Sequence, residues 1–140
     1  MAEKHKSWVL RNKYLEINRV NQEFMAFAQA NDIPNLVIRN INLVLDELIN
    51  NIISYGYSDT EEHYIAVQVF LSNNLLTLVV EDDGIPFDPM TLEQPNTSLP
   101  AADRRIGGLG VHLIKSLVDS VKYLRQEGKN ILTIEKRISD

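Results

Sequence analysis

The sequence contains no cysteine, so it can form neither a disulfide nor a thiolate metal site. It also has no apolar run near the roughly 20 residues that a membrane-spanning helix requires. Its first six residues, Met1 to Lys6, lack the apolar core of a secretion signal. We therefore expect a soluble, cytoplasmic protein with no membrane partner.

An excess of positive charge is also missing. The chain has 14 Lys and Arg against 19 Asp and Glu, a net charge of −5. Direct nucleic-acid binding depends on neutralising phosphates and is not expected, although an acidic protein can still bind a basic partner. The chain has 140 residues, 44% of them hydrophobic, which predicts a single domain, 1–140, with its own core.

One long helix is predicted between about residues 34 and 55. Its apolar residues recur at helical spacing: Val37, Ile41, Val44, Leu45, Leu48, Ile49 and Ile52. Glu47 and Asn51 lie one turn apart on the same side of this helix. A carboxylate can accept a proton and a carboxamide can offer a neutral oxygen to a hydrated divalent cation. The alternative is an ordinary solvated helix face.

A predicted strand over 75–81 leads into Asp82, Asp83 and Gly84. By the two-residue period, Asp82 shares a sheet face with the apolar residues Leu78 and Val80. A carboxylate there is costly unless something donates hydrogen bonds to it, and a base with an exocyclic amine would do so. Gly84 permits a sharp turn and the close approach of a ligand. A simple turn is the alternative.

Three of the six glycines, Gly107, Gly108 and Gly110, come just before a third predicted helix. Their uncovered N–H groups and the helix dipole would attract an anion, although a flexible hinge has the same composition. Neither a Walker loop nor a dinucleotide fingerprint fits, because Ile114 and Leu113 stand where those motifs require glycine.

Three boxes therefore occur in order along the chain: Glu47-x-x-x-Asn51, Asp82-x-Gly84 and Gly108-x-Gly110. They resemble the signature boxes of the gyrase, heat-shock-protein-90, histidine-kinase and MutL ATP-binding superfamily. Within it, the chain most resembles the small anti-sigma-factor serine kinases of bacteria, over nearly its whole length. Segments 51–57, 87–89 and 128–136 add to the likeness, whereas Pro86 stands where many relatives carry a second glycine.

Helices and antiparallel hairpins in separate blocks predict an α+β two-layer sandwich with helices on one sheet face. The resemblance implies the Bergerat-type version of this fold, with a mixed, mostly antiparallel sheet. It also implies ATP and Mg²⁺ as cofactors, Glu47 as the catalytic base and Asn51 as the metal ligand. The ATP-binding residues that it implies are Asn51, Tyr55, Asp82, Gly84, Arg105, Gly107, Gly108, Leu109, Gly110 and Thr133.

Four of the five prolines fall between residues 86 and 100, among polar residues. A long loop without regular structure in a compact domain is usually functional or disordered. Lying between the second and third boxes, the segment at about 86–106 is interpreted as a lid over the nucleotide. Arg104 and Arg105 stand at its base, where either arginine could reach a terminal phosphate or remain solvated on the surface.

The function implied by the resemblance is phosphoryl transfer from Mg-ATP to a serine or threonine of a small anti-sigma-factor antagonist. The same family resemblance implies a homodimer that also sequesters a sigma factor. A non-catalytic, ATP-gated protein-binding module is the alternative, since the same site residues serve both. A split histidine kinase fits less well, because the last box and the chain length are closer to those of the serine kinases.

Overall fold

The structure of the protein, a computed structural model, describes residues 3–88 and 108–139, with side chains from residue 112 onward in the second segment. Its elements, in order, are β1 (Lys4–Arg11), α1 (Leu15–Ala30), α2 (Asn35–Tyr55), β2 (Tyr64–Ser72), β3 (Leu75–Asp82), α3 (Gly108–Leu117), β4 (Ser120–Gln126) and β5 (Lys129–Arg137). Apart from residues 86–88, the predicted lid lies outside the described residues, and so do Arg104, Arg105 and Gly107.

The strands form one sheet in the order β1-β2-β3-β5-β4. The predicted α+β two-layer fold is confirmed. Each of the four pairings is antiparallel, so the described sheet is antiparallel throughout rather than mixed. Two tight turns form the β2–β3 and β4–β5 hairpins of this sheet. Both central residues have positive φ in the turns at Asn73–Asn74 and Glu127–Gly128, as the twist of a two-residue hairpin requires.

One face of the sheet is buried. Side chains of β2, β3 and β5 alternate between buried and more exposed positions along each strand. The helices cover the buried face, and α2 packs against both α1 and α3. Burial of this apolar face against an apolar helix stripe is the main force that holds the two layers together.

The central helix α2 confirms the helix predicted at about 34–55. Nine of its residues are buried: Val37, Ile38, Ile41, Val44, Leu45, Leu48, Ile49, Asn51 and Ile52. Asn51 is the one polar residue in this stripe, and it is only 3% exposed. A buried amide on an otherwise apolar helix face needs hydrogen-bond partners, and the position of Asn51 therefore points to a ligand.

None of the helices within residues 3–88 and 108–139 is long and apolar enough to cross a membrane.

Candidate functional site

Asn51 faces a cleft between α2 and the sheet, and its Nδ2 has no hydrogen-bond partner among the described residues. A buried donor left unpaired costs roughly 1–3 kcal/mol, so a ligand that accepts from it would relieve that cost. Turned over, the same amide presents a neutral oxygen, the kind of ligand that Mg²⁺ accepts. Glu47 lies one turn earlier on α2 and is partly exposed. The donor set therefore fits a metal-bound phosphate ligand.

The carboxylate of Asp82 closes the opposite side of this cleft. It is 6% exposed, and its Oδ1 accepts hydrogen bonds from the Gly84 N–H at 2.8 Å and from Asn130 Nδ2 at 2.9 Å. Burial raises the pKa of the Asp82 carboxyl above its ordinary value, and the hydrogen bonds from Asn130 and Gly84 oppose this effect only in part. The group is thus a buried acceptor whose ionised form is favoured by two specific donors and opposed by burial.

Gly84 is required by a close approach of two backbone segments. A Cβ at this position would lie 2.1 Å from the Gly56 carbonyl oxygen and 2.9 Å from Asp82 Oδ1. The next residue, Ile85, donates its N–H to the same Gly56 oxygen at 2.7 Å. The end of α2 is therefore fastened to the loop after β3, which brings the first two sequence boxes together.

Asn130, which was not among the residues predicted from the sequence, lies opposite Asp82 in the β3–β5 register. It is 5% exposed. The Nδ2 of Asn130 donates two hydrogen bonds, to Asp82 Oδ1 at 2.9 Å and to the Ile85 carbonyl at 2.8 Å. Its Oδ1 accepts three, from the Tyr123 hydroxyl at 2.5 Å, the Phe87 N–H at 3.2 Å and Arg125 Nη1 at 3.2 Å. The available signal was its two-residue spacing from Leu132 and Ile134, both buried on the inner face.

Thr133, a predicted ATP-binding residue, is not brought to the cleft. It pairs with Val79 in the sheet register, and both residues belong to the half-buried set that alternates with the inner-face residues. Thr133 therefore lies on the opposite face of the sheet from Asp82. Its side chain does not reach the cleft, and Asn130 occupies the β5 position beside the carboxylate.

The cleft is narrow. Its lining residues are Leu48, Asn51, Ile52, Val80, Asp82, Phe87, Tyr123, Asn130 and Leu132, and its volume is about 20 Å³. This is close to the space that one water molecule needs, so an adenine ring requires the walls to separate. Tyr55 lies nearby on α2, with its ring centroid 6.3 Å from that of Phe87. Phe87 lies on the loop after β3 rather than on the sheet.

Cavity size alone does not mark this site. A larger cavity of about 290 Å³ lies beside the β2–β3 turn, lined by Lys4, Asn31, Ile33, Leu71, Ser72, Asn73, Asn74 and Ile138. Lys4 is its one charged lining residue, and the lining has neither a carboxylate nor a buried polar atom without a hydrogen-bond partner. Chemistry therefore assigns the site to the smaller cleft.

Helix α3 supplies the third box. It begins at Gly108, so Gly108, Leu109 and Gly110 form its first turn, and α3 packs against α2. The first four N–H groups of a helix have no intrahelical partner and carry the positive end of the helix dipole. Such groups favour a phosphate, and the contact with α2 places this turn on the same helix layer as Asn51.

A separate ionic bridge holds the segment before β2 beside the second box. His63 contacts Asp59 through Nε2 at 2.7 Å and Asp83 through Nδ1 at 3.2 Å. The hydrogen bond to Asp59 is the main cause of the raised pKa of His63; burial opposes it, and the hydrogen bond to Asp83 adds a smaller increase. The imidazole also stacks on Tyr57, with ring centroids 4.3 Å apart.

We expect this bridge to make stability depend on pH. Because the pKa of His63 is higher in the folded chain, the stabilisation is complete below the ordinary histidine pKa of about 6.5. It is lost as the pH rises through the raised value. Asp59→Asn should lower the pKa of His63 measured by NMR titration and weaken this pH dependence in thermal melts. An unchanged His63 titration would contradict the assignment.

The chain is similar to proteins of known family. A family model described as the histidine kinase-like ATPase domain matches residues 11–136. The serine-protein kinase RsbW of Listeria monocytogenes serovar 1/2a is 30% identical over 99 residues, which cover 68% of this chain and 63% of that protein. The serine/threonine-protein kinase BtrW of Bordetella bronchiseptica is 27% identical over 94 residues, covering 67% and 66%. The chain thus spans less than two thirds of the Listeria kinase.

Solved structures show the same fold. The blue-light activated histidine kinase of Erythrobacter litoralis EL346 aligns with a TM-score of 0.56 and 19% identity, covering 76% of this chain and 32% of that one. The histidine kinase AdeS of Acinetobacter baumannii aligns with a TM-score of 0.54 and 18% identity, covering 100% and 70%. At these identities, the likeness concerns the fold.

Proposed function

Because the chain belongs to the histidine kinase-like ATPase domain family, we propose that it is an ATP-dependent protein serine/threonine kinase of the anti-sigma-factor type. One observation carries the proposal: the carboxylate of Asp82 and the unpaired amide of Asn51 line the same cleft. The first is suited to a base with an exocyclic amine, and the second to a phosphate or its metal ion. Their combination matches the two ends of Mg-ATP.

The proposed roles follow the positions of the residues. Asp82 accepts a hydrogen bond from the adenine amine, and Tyr55 borders the base near Phe87. The first turn of α3, with Gly107, would hold the phosphates through its N–H groups, and Arg105 would approach the terminal phosphate. Asn51 would hold Mg²⁺. When bound, the ion neutralises charge that develops on the phosphate oxygens.

The proposed reaction is in-line phosphoryl transfer. The hydroxyl oxygen of a protein serine or threonine forms a bond to the γ-phosphorus, and the bond to the β,γ-bridging oxygen breaks, so that ADP leaves. Glu47 accepts the proton of the attacking hydroxyl. The partial exposure of Glu47 supports this role, since a protein substrate must reach the base from outside the cleft.

The resemblance to anti-sigma-factor kinases supplies the proposed partners. The substrate would be a small antagonist protein, and the kinase would sequester a sigma factor as a homodimer. Incubation of the chain with a candidate antagonist and labelled ATP tests the first proposal. Sedimentation of the chain alone and with a sigma factor tests the second.

A second function is favoured by one feature of the site. Within the described residues, Glu47 makes no hydrogen bond or ion pair that would align it, whereas Asp82 is held by two donors. A base without an orienting partner is also compatible with an ATP-gated module that captures a protein without transfer. The transfer assay separates the two functions, because the module binds ATP and the partner but leaves the partner unmodified.

We expect Asp82→Asn to weaken ATP binding about ten- to a hundredfold, because it removes a charge-assisted hydrogen bond worth roughly 1.5–3 kcal/mol. Titration calorimetry with Mg-ATP measures the change. Asp83→Asn is the matched control, since it removes the same charge from the neighbouring exposed position. Equal affinities for the parent and Asp82→Asn would rule out the adenine assignment.

A further inference from the structure

Asn130 has a fixed amide orientation. Three donors, from Tyr123, Phe87 and Arg125, all reach its Oδ1. Since an oxygen must face these groups, the NH₂ end is forced toward Asp82. The β4 edge strand, which carries Tyr123 and Arg125, thereby determines which end of the amide the carboxylate meets.

The carboxylate of Asp82 is restrained in turn. Both of its donors within the described residues, the Gly84 N–H and Asn130 Nδ2, reach the same oxygen, Oδ1. Two donors on one oxygen resist rotation of the group and leave Oδ2 as the acceptor for a ligand. Arg125 also donates to the Gly84 carbonyl at 2.8 Å, which fixes the backbone that supplies the first donor.

We propose that Asn130 is a positioning residue that gives the cleft its preference for a base with an exocyclic amine by holding Asp82 oriented and ionised. An ionised carboxylate can only accept a hydrogen bond. It therefore binds a 6-amino base and repels the oxygen of a 6-oxo base. This inference rests on the proposed function and deepens it.

Loss of the Asn130 donor has a specific consequence for selectivity. Burial opposes the ionised form of Asp82, and donated hydrogen bonds favour it. Without Asn130, the carboxyl rotates and gains protonated character, and a protonated acid can donate to a 6-oxo base. The affinity for a 6-amino base falls while that for a 6-oxo base is maintained, so the ratio of the two affinities changes.

The experiment compares the dissociation constants of Mg-ATP and Mg-ITP by calorimetry. Asn130→Asp retains the oxygen that Tyr123 and Arg125 bind but removes the donor to Asp82. We expect the ratio of ATP to ITP affinity to fall about tenfold or more, in line with loss of a hydrogen bond to a charged group. Asn31→Ala is the control: Asn31 Nδ2 donates to the Phe27 carbonyl at 2.8 Å, away from the cleft, and the ratio should remain at the parent value.

The outcomes separate the two proposals. A parent protein that prefers ATP, together with an Asn130→Asp variant that retains the full preference, overturns the role of Asn130. A parent protein that binds neither nucleotide overturns the proposed function instead. If Asn130→Asp fails to fold, Tyr123→Phe takes its place, since it removes one donor that orients the amide. A several-fold lower ratio then supports the role, and an unchanged ratio overturns it.

Discussion

Replacing Glu47 with glutamine should lower the rate of phosphoryl transfer by about 10²–10⁴-fold, the usual effect of removing a general base. ATP affinity should remain near that of the parent, because Glu47 is not among the residues that line the cleft between α2 and the sheet. The measurement is transfer of labelled γ-phosphate to an antagonist protein, with calorimetry of Mg-ATP binding in parallel.

Two further variants make this result specific. Glu23→Gln on α1, a residue whose carboxylate pairs with Arg19 at 3.7 Å, should leave both rate and affinity unchanged. Asn51→Ala should reduce metal-dependent binding as well as the rate. If the parent protein binds ATP and a partner but transfers no phosphate, the kinase proposal fails and the ATP-gated module becomes the better account.

Gly84→Ala should damage stability and nucleotide binding together. The new methyl group would meet the Gly56 carbonyl oxygen at 2.1 Å, and backbone cannot move aside as the end of a side chain can. We expect a loss of stability at the upper end of the roughly 1–3 kcal/mol typical of overpacking. Displacement of this backbone would also move the residue-84 N–H away from Asp82 Oδ1, to which it donates. ATP affinity should therefore fall in the fraction that remains folded. Urea unfolding and calorimetry measure the two effects.

Gly128→Ala provides the matched glycine control. Gly128 has φ +78°, and a Cβ there would meet nothing within 4 Å. Alanine in this left-handed conformation costs about 1–2 kcal/mol without any contact with the cleft. Stability should therefore fall while ATP affinity is retained. An equal loss of affinity in both variants would show that Gly84 acts through general stability rather than through Asp82.

Much of the fold could be predicted because its signals are periodic and local. Apolar residues at helical spacing located α2, and the strand predicted over 75–81 corresponds to β3. The sheet order could not be obtained in this way. Placing β5 between β3 and β4 depends on pairing between residues 48 apart in sequence, such as Asp82 and Asn130. No local pattern contains that information.

The residues of the candidate site also differ in whether local sequence patterns could predict them. Asp82 continues the apolar register of β3, so its burial could be predicted from the sequence. The burial of Asn51 could not, because Asn51 was set with Glu47 apart from the apolar stripe of α2, whereas the structure places it within that stripe. Thr133 and Asn130 required the parity of β5, which the sequence left undecided. Because successive side chains of a strand point to opposite faces, the odd spacing of three residues puts Thr133 on the opposite face from Asn130, which lies beside Asp82.

The link between Asp82 and Asn130 also determines when the binding site comes into existence. The α2 and β3 residues are synthesised well before β5, which inserts between β3 and β4 as the last strand in chain order. A nascent chain that has already formed the β2–β3 hairpin therefore still lacks the donor that holds its carboxylate. A ligand that binds only the native state stabilises it by RT ln(1 + [L]/Kd), so the stabilisation grows with the free ligand concentration. ATP would thus stabilise the completed sheet and would not stabilise the folding intermediates that precede it.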